Sequence, residues 1–240
     1  MRIVDLPAYE QLLHERLPMG WGGRWYGVFV ALVTDIKDPD NQGRVKVALP
    51  WSPDAGGQRF EAWARLATML GGNNRGSWFV PDVDDEVLVG FEHGDPCRPC
   101  VLGGLWNGRD KPPASMDGAG KNYKKVLRSR NGVQITLDDQ DGREQLLLET
   151  PGGQTFTLKD GPGAVEIADS NGNSIKLETA GITITAAVKV TVNASQVAVS
   201  AGMVTVDAAM SSFSGVVKAD TVICNSIVSA SYTPGAGNIW

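Results

Sequence analysis

The feature that most constrains the fold is a series of apolar pairs whose spacing shortens toward the C-terminus. Each pair has one residue between its members, which is typical of a β-strand with one buried face. The first five pairs lie nine to eleven residues apart, and the later ones lie seven or eight apart. Such repetition predicts a solenoid-like β structure that narrows along its length, which favours a mechanical role over catalysis. The pairs are Ile135/Leu137, Leu146/Leu148, Phe156/Leu158, Val165/Ile167, Ile175/Leu177, Ile182/Ile184, Val190/Val192, Val197/Val199 and Val204/Val206.

Composition excludes several classes of protein. The 240 residues carry a net charge of −5 and have a pI of about 5.1, which disfavours a nucleic-acid partner because such proteins need a basic face. No apolar stretch approaches the length of about 18 residues that a membrane-spanning helix needs. The first twenty residues lack the pattern of a secretory signal. We therefore expect assembly in the cytoplasm, followed by release through lysis or within a larger machine.

The two halves of the chain differ in chemistry. Six of the seven tryptophans precede residue 110, whereas proline is absent from Gly163 to Thr233. The second half consists mainly of Val, Ile, Thr, Ala and Ser. A stretch rich in Pro and Gly, from Gly108 to Gly120, is the natural boundary between the halves.

The first half reads as a small β domain. Five segments combine alternating or β-branched residues with flanking turn residues, and such segments predict strands. Five strands within about 80 residues suit a Greek-key barrel of the OB type. The segments are Val28–Asp35, Arg44–Leu49, Ala62–Leu66, Glu86–Phe91 and Val101–Gly103.

An amphipathic helix is predicted ahead of the barrel, from Asp5 to Leu17. Leu6, Tyr9, Leu13 and Leu17 fall on one face of this helix. Two roles are open for it: a lid on the barrel, or a docking element for another subunit.

The second half contains a repeated phrase that begins with glycine. Gly132, Gly153 and Gly172 each precede a strand pattern, and each would let the chain turn. One chain alone would leave long strand edges unpaired, whereas three copies wound together would pair them and bury the Val/Ile stripe. We therefore predict a homotrimeric, intertwined β-helix or β-prism. A single-chain β-helix and a β-sandwich are the alternatives.

Candidate sites for chemistry are few. Cys97 and Cys100 have the spacing of a redox or disulfide pair but lie in a proline-rich turn, so a plain turn is the other interpretation. The acidic run from Asp82 to Glu86 lacks the spacing of a calcium loop. His93 has no nucleophile in an elbow motif to act with. The sequence therefore predicts no catalytic and no metal site.

A succession of short motifs runs in order through most of residues 28–113. They include Val33-Thr34 to Asp38-Pro39-Asp40, Gly43-Arg44-Val45-Lys46-Val47, Leu49-Pro50-Trp51, Ala62-Trp63-Ala64-Arg65, Asp85-Glu86-Val87-Leu88-Val89, Phe91-Glu92-His93-Gly94-Asp95-Pro96 and Leu105-Trp106-Asn107-Gly108. This succession resembles the central-spike family of contractile injection machines, which includes phage baseplate assembly protein V, the phage tail-spike hub and the VgrG proteins of type VI secretion.

The resemblance implies an all-β protein in which an OB-fold collar leads into a trimeric β-helical needle. The corresponding segments are a docking segment 1–24, the collar 25–113, a linker 114–129, the needle 130–231 and a tail 232–240. The implied function is a structural, non-enzymatic spike that pierces the target-cell envelope as part of a virion baseplate or extracellular particle. The alternative is a trimeric fibre or adhesin that binds a cell-surface glycan.

The sequence departs from the family's pattern in ways that bear on its partners. Fused VgrG proteins carry a hub domain before the barrel, and wall-cutting members carry a lysozyme-like insert after it. Neither is present here, so we expect a separate trimeric hub protein at the collar. Some phage spikes end in a His-rich apex that binds iron. No histidine follows His93, so we expect no apex metal and no other cofactor.

The last nine residues break the strand pattern and restore proline, glycine and aromatic residues. Tyr232, Pro234, Ile239 and Trp240 would lie together at one end of a trimer. They predict either a cap on the needle core or a platform for a separate, PAAR-like tip protein.

Overall fold

The computed structural model describes residues 24–53, 58–160 and 164–231, and it confirms the all-β class. Within these residues the one helical element is a 3₁₀ turn at Glu92–Gly94. The helix predicted from Asp5 to Leu17 lies outside the described residues. The strands are β1 Val28–Asp35, β2 Val45–Pro53, β3 Arg59–Leu66, β4 Gly71–Gly72, β5 Arg75–Gly76, β6 Glu86–Phe91, β7 Pro99–Gly104, β8 Lys124–Arg128, β9 Gln134–Asp138, β10 Gln145–Glu149, β11 Thr155–Lys159, β12 Ala164–Ala168, β13 Ser174–Glu178 and β14 Gly181–Thr185.

Five strands close into a barrel in the order β1-β2-β3-β7-β6. All neighbours are antiparallel except β3 and β7, which run parallel where Arg65 and Leu66 face Cys100 and Val101. This order is consistent with an OB fold. All five strands predicted in the first half are therefore confirmed, with β1 and β6 at the predicted bounds.

The barrel core is built from inward-facing aliphatic residues on alternate positions of each strand. Leu49 is the largest of its fully buried side chains. An aromatic cluster packs at one end, where the Trp25 ring lies 5.1–5.5 Å from the rings of Trp51, Phe60 and Phe91. The other members of the buried core are Ala31, Val33, Val45, Val47, Ala64, Val87, Val89 and Val101.

The turn between β1 and β2 is fastened by one carboxylate. Asp38 accepts hydrogen bonds from the Arg44 guanidinium at 2.6 Å and from the backbone N–H groups of Asp40, Gln42 and Arg44. The Arg44 side chain, and to a smaller degree these backbone donors, hold the pKa of Asp38 well below its ordinary value. Gly43 has a positive φ of 72° and lies against the Trp78 ring, so the turn is fixed from both sides.

Strands β8 to β14 form a seven-stranded antiparallel sheet in chain order. Its first strand begins at Lys124, within the segment 114–129. The connections at one end of the strands span 129–133, 150–154 and 169–173 and hold five residues each. Those at the other end span 139–144, 160–163 and 179–180 and shorten from six residues to four and then two. The shortening spacing of the apolar pairs in the sheet thus reflects shorter turns at one end of the strands only.

The described residues after Lys189 form a second unit. No residue of 190–231 belongs to a strand within this single chain. The pairs Val190/Val192, Val197/Val199 and Val204/Val206 are therefore not paired within one copy, and all six side chains are exposed.

Candidate functional site

The apolar pairs of the seven-stranded sheet line up into two continuous ladders on one face. The cross-strand register places directly paired residues on the same side of the sheet. We call these residues the apolar face. The first ladder is Leu127, Ile135, Leu148, Phe156, Ile167, Ile175 and Ile184, and the second is Leu137, Leu146, Leu158, Val165, Leu177 and Ile182.

None of the residues of the apolar face is buried in one copy of the chain. Their exposed fraction is highest on the last strand, where it reaches 70% at Ile182 and 62% at Ile184. Monomeric proteins rarely expose an apolar patch that continues across so many strands. The face is therefore built to be covered by another surface.

The opposite face of the sheet is more polar and is partly covered by the chain itself. Pro113 and Ala114, which precede β8, line a groove together with Val126, Thr136 and Leu147 of that face. Among the described residues, Thr136 is the one polar residue that is buried. The chain thus shields its polar face in part and leaves the apolar face open.

Three similar turns connect neighbouring strands at one end of the strands. Each begins with a side-chain oxygen, of Ser129, Thr150 or Asp169, that accepts a hydrogen bond from the N–H four residues later, at 2.9–3.3 Å. In each turn the fourth residue is glycine with a φ between 83° and 90°. The repeated glycines predicted to turn the chain therefore do so; they are Gly132, Gly153 and Gly172.

Sequence reasoning missed the first residue of these turns. The signal was present, because Ser, Thr or Asp stands three residues before each repeated glycine. Side chains of this kind commonly accept hydrogen bonds from nearby backbone N–H groups in turns. The recurring unit is therefore a five-residue turn of the form Ser/Thr/Asp-x-x-Gly-x, which we call the five-residue turn.

The last of these turns is bound to the chain beyond β14. Asp169 accepts hydrogen bonds from the side-chain N–H of Asn173 at 2.7 Å and from its backbone N–H at 2.9 Å. Those bonds, followed by weaker ones from Asn171, lower the pKa of Asp169 to about 2. Asn173 in turn accepts a hydrogen bond from the backbone N–H of Ala187 at 2.9 Å.

The sites predicted at the two ends of the chain lie outside the described residues. These are Leu6, Tyr9, Leu13 and Leu17, assigned to hub docking, and Tyr232, Pro234, Ile239 and Trp240, assigned to tip binding. They remain predictions.

The predicted cysteine pair lies at the turn that leads into β7. The backbone N–H of Cys97 donates to Asp95 at 3.0 Å, and Cys97 is exposed. Cys100 is half-buried on β7 and pairs with Gly90 of β6. Both thiols are free, as is that of Cys224. The redox or disulfide role stays a prediction.

The acidic run ahead of β6 forms a tight turn. Asp85 accepts a hydrogen bond from the N–H of Asp82 at 2.8 Å, and Asp84 has a φ of 74°. Nowhere in the described part of the chain do three His, Cys, Asp or Glu side chains gather in an arrangement able to hold a metal ion. Within the same described ranges, no helix has the length and apolarity that crossing a membrane requires.

Two family models match the chain, one in each half. Residues 29–106 match the type VI secretion system/phage-baseplate injector OB domain. Residues 145–210 match the phage baseplate V C-terminal trimerisation domain. The first match covers the barrel. The second begins at β10, runs through the apolar face and continues past β14.

Curated relatives include several spike proteins. The chain is 33% identical over 115 residues to the type VI secretion system spike protein VgrG3 of Vibrio cholerae, covering 45% of this chain and 11% of that protein. It is 30% identical over 128 residues to the type VI secretion system spike protein VgrG1b of Pseudomonas aeruginosa, covering 50% of this chain and 17% of that protein. It is also 30% identical over 115 residues to the actin cross-linking toxin VgrG1 of Vibrio cholerae, covering 45% of this chain and 10% of that protein.

The chain spans less than a fifth of the length of each of these relatives. The similarity therefore concerns the spike portion that they share and not their further domains. The relatives are components of secretion or injection machinery, and the trimerisation-domain match supports a homotrimer. The chain belongs to the family of phage-baseplate and type VI secretion spike proteins, of which it carries the injector OB domain and the C-terminal trimerisation domain.

Proposed function

We propose that this protein is a structural central spike of a contractile tail or injection system, in which three copies wind together into a membrane-piercing needle. The observation that carries the proposal is the apolar face, whose two ladders cross the sheet and stay uncovered in one copy. Three such faces turned toward a common axis would cover one another.

The physical gain from such an arrangement is large. Burying a side chain the size of Leu or Ile contributes about 1.5–3 kcal/mol, and the apolar face offers thirteen partly exposed side chains per copy. The match to a trimerisation domain over residues 145–210 supports three copies rather than two.

Stiffness is what a piercing needle has to supply, because the work comes from contraction of the surrounding sheath. Strands joined edge to edge by backbone hydrogen bonds resist bending, and a closed assembly leaves no edge from which to unravel. We expect slow unfolding and resistance to SDS, as in other kinetically stable β assemblies.

The ends of the spike would meet two separate proteins. A trimeric hub would receive the barrel end, with Leu6, Tyr9, Leu13 and Leu17 as docking residues. A PAAR-like tip protein would sit on the tail that includes Tyr232, Pro234, Ile239 and Trp240. The assembled spike would form part of a virion baseplate or an extracellular particle, and the target-cell envelope would be a transient partner.

The solution mass tests the central proposal. Light scattering should give three times 25.6 kDa, about 77 kDa, and an unboiled SDS gel should retain that species. The matched variants are Ile175→Asp, which places a charge on the apolar face of the inner strand β13, and Ser174→Asp, which places one on the opposite face of the same strand. The first should abolish the trimer and the second should keep it. A wild-type monomer, or equal behaviour of the two variants, would overturn the proposal.

The two partner assignments have separate tests. Deleting residues 234–240 should abolish binding of the tip protein while the trimer stays intact. Replacing Leu6, Leu13 and Leu17 with Ser should abolish capture of the hub protein. Unchanged binding in either case would refute that assignment alone.

A further inference from the structure

The loop that joins β3 to β6 exposes a group of large apolar side chains away from the apolar face. Met69 and Leu70 lie on one arm of the loop and Trp78 and Phe79 on the other, with exposed fractions of 95, 60, 75 and 71%. We call these four residues the collar patch. Single exposed apolar residues are common on monomers, whereas four on one loop, two of them aromatic, are typical of an interaction surface.

Hydrogen bonds hold the loop in shape. The N–H of Ser77 donates to the carbonyl of Leu70 at 2.9 Å, and the hydroxyl of Thr68 donates to the carbonyl of Ser77 at 2.9 Å, so the two arms are joined. The hairpin of β4 and β5 lies beyond them. A Cβ on Gly72 would collide with the side chain of Arg75, which therefore lies across the hairpin. Arg75 forms no ion pair within the described ranges, so an unpaired cation accompanies the collar patch.

The collar patch lies at the end of the barrel that is joined to the sheet. Asp82, three residues after Phe79, accepts a hydrogen bond from Arg130 in the turn between β8 and β9, at 2.8 Å. The aromatic cluster around Trp25 packs at the opposite end, where β3 begins and β6 ends. The hub proposed above belongs at that opposite end, because the predicted docking residues precede Trp25 in the chain. The collar patch therefore needs a different partner.

A groove at the start of β8 has matching chemistry. Its walls include Trp106, Pro113, Met116, Tyr123 and Val126, and its volume is about 530 Å³. Trp106 is 71% exposed and Met116 is 63% exposed, so the apolar walls stay open in one copy. We call it the junction groove. It opens on the polar face of the sheet, so a partner in the groove leaves the apolar face free to be covered at the same time.

The junction groove also supplies a carboxylate with room for a cation. Asp138 lines the groove and accepts one backbone hydrogen bond, from Gln140 at 3.2 Å. It forms no ion pair within the part of the chain that the structure describes. Asp117, which also lines the groove, is already bonded to three backbone N–H groups. Asp138 is thus the carboxylate able to receive the Arg75 guanidinium, and such matching of opposite charges selects which surfaces meet.

The collar patch and the junction groove lie at opposite ends of β8. The patch is linked, through Asp82 and Arg130, to the turn after β8, whereas the groove includes Lys124, the first residue of that strand. A strand of five residues separates the two ends by about 15 Å. Two different surfaces on opposite sides of one copy make a head-to-tail contact, and three such contacts can close into a ring.

We propose that the collar patch of one copy packs into the junction groove of the next, with Arg75 against Asp138, so that three copies form a closed ring where the barrel meets the sheet. The inference rests on the proposed trimer and adds a contact surface outside the needle. A second copy is the occupant that the observations favour, because the apolar side chains and the unpaired charges of the two surfaces match. The trimerisation-domain match supports the presence of further copies.

Methionine oxidation of the full wild-type trimer tests the contact, because one methionine lies on each surface. Hydrogen peroxide is the probe and peptide mass spectrometry the readout. Met69 and Met116 should oxidise at least about tenfold more slowly than free methionine in the same tube. A stable trimer in which Met69 oxidises as fast as free methionine would overturn the inference and leave the proposed function standing. Protection that arises only after the hub protein is added would also overturn it, because the hub would then be the occupant.

A charge swap tests the pairing of Arg75 with Asp138. Arg75→Glu and Asp138→Arg each bring like charges together, so each should raise the oxidation rate of Met69 at least about fivefold. The double variant R75E/D138R restores opposite charges and should return the rate to within about twofold of the wild type. Arg98→Glu is the matched control, since it makes the same change of charge on the turn that leads into β7, and it should leave the rate unchanged.

The trimer should persist in all four variants, because the apolar face is untouched by these substitutions. Single variants that expose Met69 with no rescue in the double variant would overturn the proposed pairing, and so would unchanged rates in both single variants. A wild-type monomer would refute the inference together with the proposed function.

Discussion

The guanidinium of Arg130 donates a hydrogen bond to the carboxylate of Asp82 at 2.8 Å, joining the first turn of the sheet to the turn that precedes β6 of the barrel. Both side chains are more than a third exposed, so water and salt screen this ion pair. It joins the barrel to the sheet at the surface and adds little stability.

Replacing Asp82 with Asn should therefore have a small effect. We expect the free energy of unfolding to fall by less than about 1 kcal/mol, because exposed ion pairs rarely contribute more. The loss should shrink further in 1 M salt. Denaturant unfolding followed by tryptophan fluorescence, at low and high salt, measures both quantities. A loss above about 2 kcal/mol at either salt concentration would contradict this prediction, since such values belong to buried pairs.

Alanine at Gly153 should weaken the seven-stranded sheet. The glycine has a φ of 83°, and its Cβ would lie 3.2 Å from Ser170. The left-handed conformation alone costs a non-glycine residue about 1–2 kcal/mol, and the close contact adds to that. Thermal unfolding should show the loss. The matched control is Gly118→Ala, where a Cβ meets nothing within 4 Å, and it should change stability by no more than about 0.5 kcal/mol.

The barrel could be predicted from sequence because its strands carry two independent signals. Arg44–Leu49 alternates apolar and polar residues, and the preceding turn residues include Asp38 and Gly43. The structure confirms Val45–Leu49 of this strand as part of β2. The apolar pairs up to Ile182/Ile184 were likewise sufficient to locate six strands of the sheet.

Two features could not be predicted, for physical reasons. Strand β8 has only the adjacent pair Val126 and Leu127, with lysines before it, so it lacks the alternation of a half-buried strand. Whether residues 190–206 pair within one chain or with another copy could not be predicted either. Side chains alternate with a period of two residues in both kinds of strand, so the sequence pattern is the same.

Asp169 should make the sheet sensitive to acid. Its pKa of about 2 lies below its ordinary value of 3.8, so its carboxylate stabilises the folded state above pH 3.8, and this stabilisation is lost as the pH falls through about 2. Asp169→Asn should lower the thermal midpoint at pH 6 and make no difference near pH 2. Asp141→Asn is the control, because its carboxylate has no hydrogen bond or ion pair in the described part of the chain. A difference for Asp169→Asn that persists below pH 2 would contradict the assignment.

The barrel core and the apolar face should respond differently to the same kind of truncation. Leu49 is 1% exposed within one copy, so Leu49→Ala should cost about 2–5 kcal/mol of barrel stability at any protein concentration. Ile175 is 40% exposed in one copy and reaches full burial only if other copies cover it, so Ile175→Ala should act on assembly. Ile175→Ala should therefore dissociate into monomers at protein concentrations at which the wild-type protein is still a trimer, because association follows mass action.

Light scattering over a hundredfold range of concentration, after equilibration at each dilution, separates the two cases, because Leu49→Ala should keep the oligomeric state of the wild type. Ser174→Ala is the control for Ile175→Ala, since it removes a side chain from the adjacent position on the opposite face. An Ile175→Ala trimer that dissociates at the same concentration as the wild-type trimer would mean that a single chain buries Ile175 by itself. The apolar face would then belong to a closed monomer, and the three-copy needle would have no surface through which to form.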